Sequence, residues 1–142
     1  MNWVTINLAH IVDIMPAHQR AAYDAWLVAD SDHTMRALIM VENVVMEFRA
    51  GIEANPENKL EPDVNKVPQS CARHCETLCL FDLALETGGV LHEDELVATS
   101  KAEIFLRYMF SGRFYLTGGT GKIEPSPAYA PARERDVRVL DG

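Results

Sequence analysis

Cys71, His74, Cys75 and Cys79 fall at positions i, i+3, i+4 and i+8 of one stretch, and these residue types bind soft metals. On a helix, positions i and i+4 share a face, so two or three of the four could meet one ion. Four ligands strung along one straight helix cannot close a tetrahedron around zinc. Free cysteine also behaves as a small buried hydrophobe. Core packing is the reading, and no metal is expected in this chain. The other histidines, His10, His18, His33 and His92, are scattered and none falls in a metal or triad spacing. Asp30, Asp32 and His33 adjoin one another, but helix capping explains the aspartates more economically than acid–base chemistry. Gly121-Lys122 has the look of a phosphate loop. That motif requires a glycine where Leu116 stands and a serine or threonine where Ile123 stands. No serine sits in a nucleophile elbow, and no pair of groups is spaced for mutual pKa tuning. The chain reads as a non-enzyme without a cofactor.

The elements that position these residues read as helices. Pro16 suits the first turn of a helix through AHQRAAYDAWLVA, with Asn7 to Ile14 before it as a short helix or an extended lead. Asp30-Ser31-Asp32 breaks the pattern and offers cap side chains to a helix from Thr34 to about Ala54. Along it, Leu38, Val41, Val45, Phe48 and Ile52 recur at helical spacing, and Met35, Ile39 and Met46 widen the stripe, predicting burial around much of the helix. Asn55-Pro56 ends it in a polar loop. A helix opening at Pro68 and running to about Thr87 turns Cys71, Cys75, Leu78 and Leu85 inward, broadened by Leu80 and Phe81, before Gly88-Gly89 stops it. Glu93, Asp94 and Glu95 complement the dipole at the start of a last helix, which packs through Val97, Ile104, Phe105, Tyr108 and Met109 and closes at Gly112.

After Gly112 the texture changes to glycines and prolines: Gly118, Gly119, Gly121, Pro125, Pro127 and Pro131. The prediction is a mainly α protein. A small helical bundle over residues 1–112 carries an extended arm over 113–142, with a short strand near 137–139. Such an arm has too little apolar surface to order itself, so a neighbour would order it, by strand addition through Val137 and Val139. Phe114, Tyr115, Tyr129, Val137 and Val139 are the expected partner contacts, because aromatic anchors dominate many interfaces.

Charge sharpens the division. Residues 1–112 hold 8 Lys/Arg against 17 Asp/Glu, while residues 113–142 hold 5 against 4. An acidic body repels a phosphate backbone, which disfavours DNA binding through a basic face. No apolar run approaches the roughly 20 residues of a membrane span. The N-terminus lacks the basic region and cleavage site of a signal peptide, so reduced thiols and synthesis in a cytoplasm are expected.

The order of parts resembles the all-helical head-completion proteins of tailed bacteriophages, the head–tail connectors or adaptors of the Mu-like branch. The resemblance covers roughly residues 34–116. In that family a helix ending in R-x-x-I-x-x-N-P leads through a loop and a proline to a helix carrying ARxxL, and a third helix ends in GRF. The corresponding residues are Arg49, Ile52, Asn55, Pro56, Pro68, Ala72, Arg73, Gly112, Arg113 and Phe114. Departures are His74-Cys75, where relatives usually carry an aromatic residue, a body more acidic than the family leads one to expect, and the segment after residue 116, which matches nothing in the family. The resemblance implies a structural virion protein of the phage neck, made in the bacterial host cytoplasm. Such proteins form a homo-oligomeric ring, typically twelvefold, beneath the portal protein. They extend the DNA channel and offer a docking surface to the tail terminator or next neck protein. DNA would pass through an acidic lumen without specific binding. The rival reading is a small helical regulatory or antitoxin-like protein whose tail binds one partner.

Overall fold

The computed structural model describes residues 2–116; Tyr129, Val137 and Val139 lie outside them. Strand β1 (Trp3–Thr5) leads into α1 (Leu8–Ile14), α2 (Ala17–Ala29) and α3 (His33–Glu53). Strand β2 (Lys66–Pro68) then precedes α4 (Gln69–Thr87) and α5 (Glu93–Tyr108), whose end unwinds into a π turn at Met109–Arg113. The protein is a small helical bundle. Among the described residues no helix is long and apolar enough to cross a membrane.

Local chemistry accounts for most of the boundaries. Asn7 caps α1 by accepting the His10 N–H at 2.9 Å, and Pro16 stands immediately before α2, where its missing N–H costs no helical bond. Between α2 and α3 the capping expectation needs correction. The Asp32 side chain makes no cap bond; Asp30 instead accepts the Asp32 N–H at 2.9 Å and holds the turn. His33 completes that corner by stacking on Trp26 at 4.1 Å and bonding the Trp26 carbonyl through Nδ1 at 2.6 Å. Gly88 adopts φ 76°, the left-handed cap that ends α4.

Helix α4 sits between α3 on one side and α5 on the other, with α2 also against it. Its buried residues, Cys71, Cys75, Leu78, Cys79, Phe81, Leu83 and Ala84, therefore spread over more than one stripe. Leu85, expected inward, is 43% exposed, and Ala84 takes the inward place in the last turn. On α5 the inward row is Thr99, Ala102, Leu106 and Met109, while Val97 and Ile104 face outward. Thr99 can be buried because its hydroxyl donates to the Glu95 carbonyl at 2.8 Å.

Two features were not foreseen. First, the loop after Asn55 returns to pair with the N-terminus: Trp3 faces Pro68, Val4 faces Val67 and Thr5 faces Lys66 in an antiparallel ladder. Arg49, only 8% exposed, holds this loop by donating to the carbonyls of Glu61, Asp63 and Lys66 at 2.6, 2.9 and 2.7 Å, with Trp3 lying over its guanidinium. Second, the body continues past residue 112 to Leu116. Gly112 turns with φ 81°, and a Cβ there would stand 3.2 Å from the Ala54 carbonyl oxygen. The chain then folds back: Asn55 and Asn58 both donate to the Phe114 carbonyl, at 3.1 and 2.7 Å, and Asn58 accepts the Leu116 N–H at 3.0 Å. Phe114 and Leu116 are buried in the core.

Candidate functional site

The cysteine helix is structural. Cys71, Cys75 and Cys79 are all buried on the core side of α4. Burial pushes the Cys71 thiol up to about 12, so it stays protonated and poorly nucleophilic at neutral pH. His74 stacks on Phe105 at 4.4 Å, and burial, aided by the nearby Arg73 charge, lowers its pKa. It lines an open groove of about 450 Å³ between α4 and α5 with Arg73, Thr77, Asp94, Val97 and Lys101.

The expected partner contacts divide. Phe114 is corrected: it is 4% exposed and meets Phe105 edge-to-face at 5.8 Å, so it serves the core and not a partner. Its backbone is claimed by Asn55 and Asn58, which draws the ring inward. Tyr115, the next residue, is 46% exposed. Tyr129, Val137 and Val139 lie outside the described residues.

An exposed apolar row runs along α3 instead. Met35, Ile39 and Met46, predicted to widen the buried stripe, are 59%, 47% and 62% exposed. Neighbouring elements cover α3 through Ala37, Val41, Val44, Val45, Phe48 and Ile52, which leaves its opposite side open. Two grooves border that open side. One, of about 540 Å³, lies between α3 and the following loop, lined by Glu42, Met46, Ala50, Glu53, Leu60 and Val64. The other, of about 680 Å³, lies at the start of α3 among Asp32, Met35, Arg36, Ile39 and Glu86. Arg36 pairs with Glu86 there at 3.0 Å. Exposed apolar side chains flanked by carboxylates form a surface suited to docking another protein. On α5, Val97 and Ile104 add a second exposed pair.

The fold also assembles a titratable cluster that spacing did not reveal. His18 on α2 reaches Glu95 on α5, Nε2 to Oε1 at 2.8 Å, across 77 positions of sequence. His92, at the N-terminus of α5, stacks its ring on that of His18 at 3.8 Å. Gln19 donates from Nε2 to Glu95 Oε2 at 2.9 Å, and the His92 backbone N–H donates to Oε1 at 2.7 Å. One ligand atom each from His18, His92 and Glu95 lie within 4.8 Å of one another. The local signal was present only in part: Glu95 is three residues after His92, where a carboxylate returns to a helix N-terminus.

Comparison of the chain with family models, with curated proteins and with solved structures finds no match to any of them.

Proposed function

We propose that this chain is a structural virion protein of the phage neck. It acts by assembling into a homo-oligomeric ring between the portal protein and the tail terminator or next neck protein. The observation that supports this reading best is the open apolar side of α3, Met35, Ile39 and Met46, on a body whose other α3 face is fully packed. A head-to-tail ring requires two different patches on each subunit, whereas a twofold dimer requires one. Val97 and Ile104 on α5 supply a second exposed pair. Excess carboxylates, 17 against 8 cationic side chains in residues 1–112, suit a channel past which DNA slides without adhering. The residues of the family-like pattern contribute to folding in this reading. Arg49, Asn55 and Gly112 shape the loop and the return of the chain after α5.

Quantitative mass spectrometry on density-purified virions of the source phage or prophage tests the proposal. About a dozen copies beside a similar number of portal chains is the expected result, the stoichiometry of a closed ring. Absence from virions, with the protein retained in the lysate, would refute it and favour a regulator that binds one soluble partner. In a complementation assay, the Met46→Glu variant should fold normally and fail to enter particles.

A further inference from the structure

We propose that His18, His92 and Glu95 form a binding site for a divalent transition-metal ion of the zinc class, one that ties α2 to the start of α5. The site is independent of the assembly reading and stands or falls separately.

The donor set selects the ion. Two imidazoles and one carboxylate suit zinc, cobalt or nickel, whereas calcium and magnesium require oxygen ligands throughout. Three protein ligands leave one position open to water, the arrangement of an accessible site. The ligands come from the starts of two helices: His18 lies in the first turn of α2, His92 is the residue immediately before α5, and Glu95 lies in the first turn of α5.

The site needs a small opening of the His18–Glu95 pair and a rotation of the His92 side chain. Ligands around a tetrahedral zinc stand about 3.3 Å apart. The His18 Nε2 to Glu95 Oε1 separation of 2.8 Å is that of a hydrogen bond, so the pair must open by roughly half an ångström to admit an ion. The His18 and His92 rings are stacked, parallel to within 12°. His92 must swing out of the stack to bind the same ion as His18. Its side chain is exposed, and rotation there displaces solvent rather than core. The ion would take the place of the proton that now lies between Nε2 and Oε1.

A second observation points to the same place. Gln19 is 2% exposed; its Nε2 is spent on Glu95, and its Oε1 has no hydrogen-bond partner among the described residues. An unsatisfied buried acceptor is destabilising, and an apolar side chain would fill this position without that cost. A buried amide that fixes the far oxygen of a carboxylate is the outer support found behind metal-ligating carboxylates. Gln19 and Glu95 also border a small cavity of about 90 Å³, which leaves room for the carboxylate to shift. The positive end of the α5 dipole opposes a cation, and the exposed carboxylates of Glu93 and Asp94 in the same turn offset it.

Titration calorimetry of the full, tag-free chain with zinc chloride, after removal of metal by a chelator, tests this directly. The expected result is one ion per chain and a thermal midpoint that rises with zinc concentration. His92→Ala and Glu95→Gln should each weaken binding at least about tenfold, and Gln19→Leu roughly 10–100-fold. His10→Ala, which alters a separate His–Glu pair, should leave it unchanged. Cobalt is the second probe, and its spectrum should show visible ligand-field bands without thiolate charge transfer. His92 is exposed, so its alanine variant remains folded and decides the matter even where Glu95→Gln does not. No saturable binding, equal binding by His92→Ala, or a thiolate band from the cobalt form would each overturn the proposal.

Discussion

Two polar networks in this molecule are built from similar numbers of side chains and behave differently. Around the end of α3, Arg49, Asn55 and Asn58 reach main-chain atoms: the carbonyls of Glu61, Asp63, Lys66 and Phe114 and the N–H of Leu116. Between α2 and α5, His18, Gln19 and Glu95 mainly reach one another. The first network fastens loops by supplying side-chain partners to their main-chain groups. The second gathers groups that gain and lose protons, at an edge where His18 and Glu95 keep 29% and 21% of their side-chain surface exposed. A side chain bonded to backbone is committed to the fold, and titratable side chains bonded to each other retain chemistry.

The largest expected contrast concerns reactivity. The three thiols of α4 belong to the closed part of the molecule, and burial holds Cys71 near 12. Labelling with a disulfide reagent at neutral pH should therefore run at least about 100-fold slower in the folded protein than in denaturant. Three thiols should react once the chain unfolds. Rapid labelling of the folded protein would mean that α4 is open to solvent.

Arg49→Ala breaks the closed network at its centre, removing the donors of three loop carbonyls. It should cost about 3 kcal/mol in urea unfolding, because three hydrogen bonds from a charged donor are lost together. Gly112→Ala strikes the same network through the backbone, combining φ 81° with a 3.2 Å approach to the Ala54 carbonyl oxygen. A loss of about 2 kcal/mol is expected. An unchanged urea midpoint in Arg49→Ala would show that its bonds do not hold the loop over residues 61–66, and one in Gly112→Ala that the turn at residue 112 is not under constraint.

His74 supplies a smaller, pH-dependent effect. Its folded pKa lies below the ordinary 6.5 because burial disfavours the cation. Between the two values the unfolded chain binds more protons, so this contribution is complete above about pH 6.5 and is lost as the pH falls below it. Urea midpoints of the wild type and of His74→Leu, compared at about pH 7.5 and about pH 5.5, should show a shallower acid loss in the variant. Equal slopes would mean that His74 protonates freely in the folded state. At the bottom of the scale stands His92→Ala, on the open side of the comparison. Without added metal it should change stability by less than about 0.5 kcal/mol, as exposed substitutions generally do.

Much of the helical framework was legible because each boundary is written locally. Pro16 and the Asp30-Ser31-Asp32 break bracket AHQRAAYDAWLVA, which is the observed Ala17–Ala29. Asn55-Pro56 ends α3 and Gly88 ends α4. Inward and outward faces were legible only where an element has one covered side. On α3 the packed row was read correctly through Val41, Val45, Phe48 and Ile52, but hydrophobicity alone could not tell that Met35, Ile39 and Met46 belong to the uncovered side. Phe114 misled for the opposite reason. It follows a glycine in a stretch with no helical period, and its burial depends on asparagines 56 and 59 positions earlier.

Sequence by itself determined the helical class, the main break points between helices, the acidic balance of the body and the role of the cysteines as core residues. These follow from interactions within a few residues, where spacing alone sets which groups meet. Tertiary structure alone decided which apolar row stays open, that the N-terminal strand pairs with residues 66–68, and that His18 meets His92 and Glu95. Those contacts join positions more than 60 residues apart. No local period encodes them; they follow from how the helices pack once each has buried its apolar side.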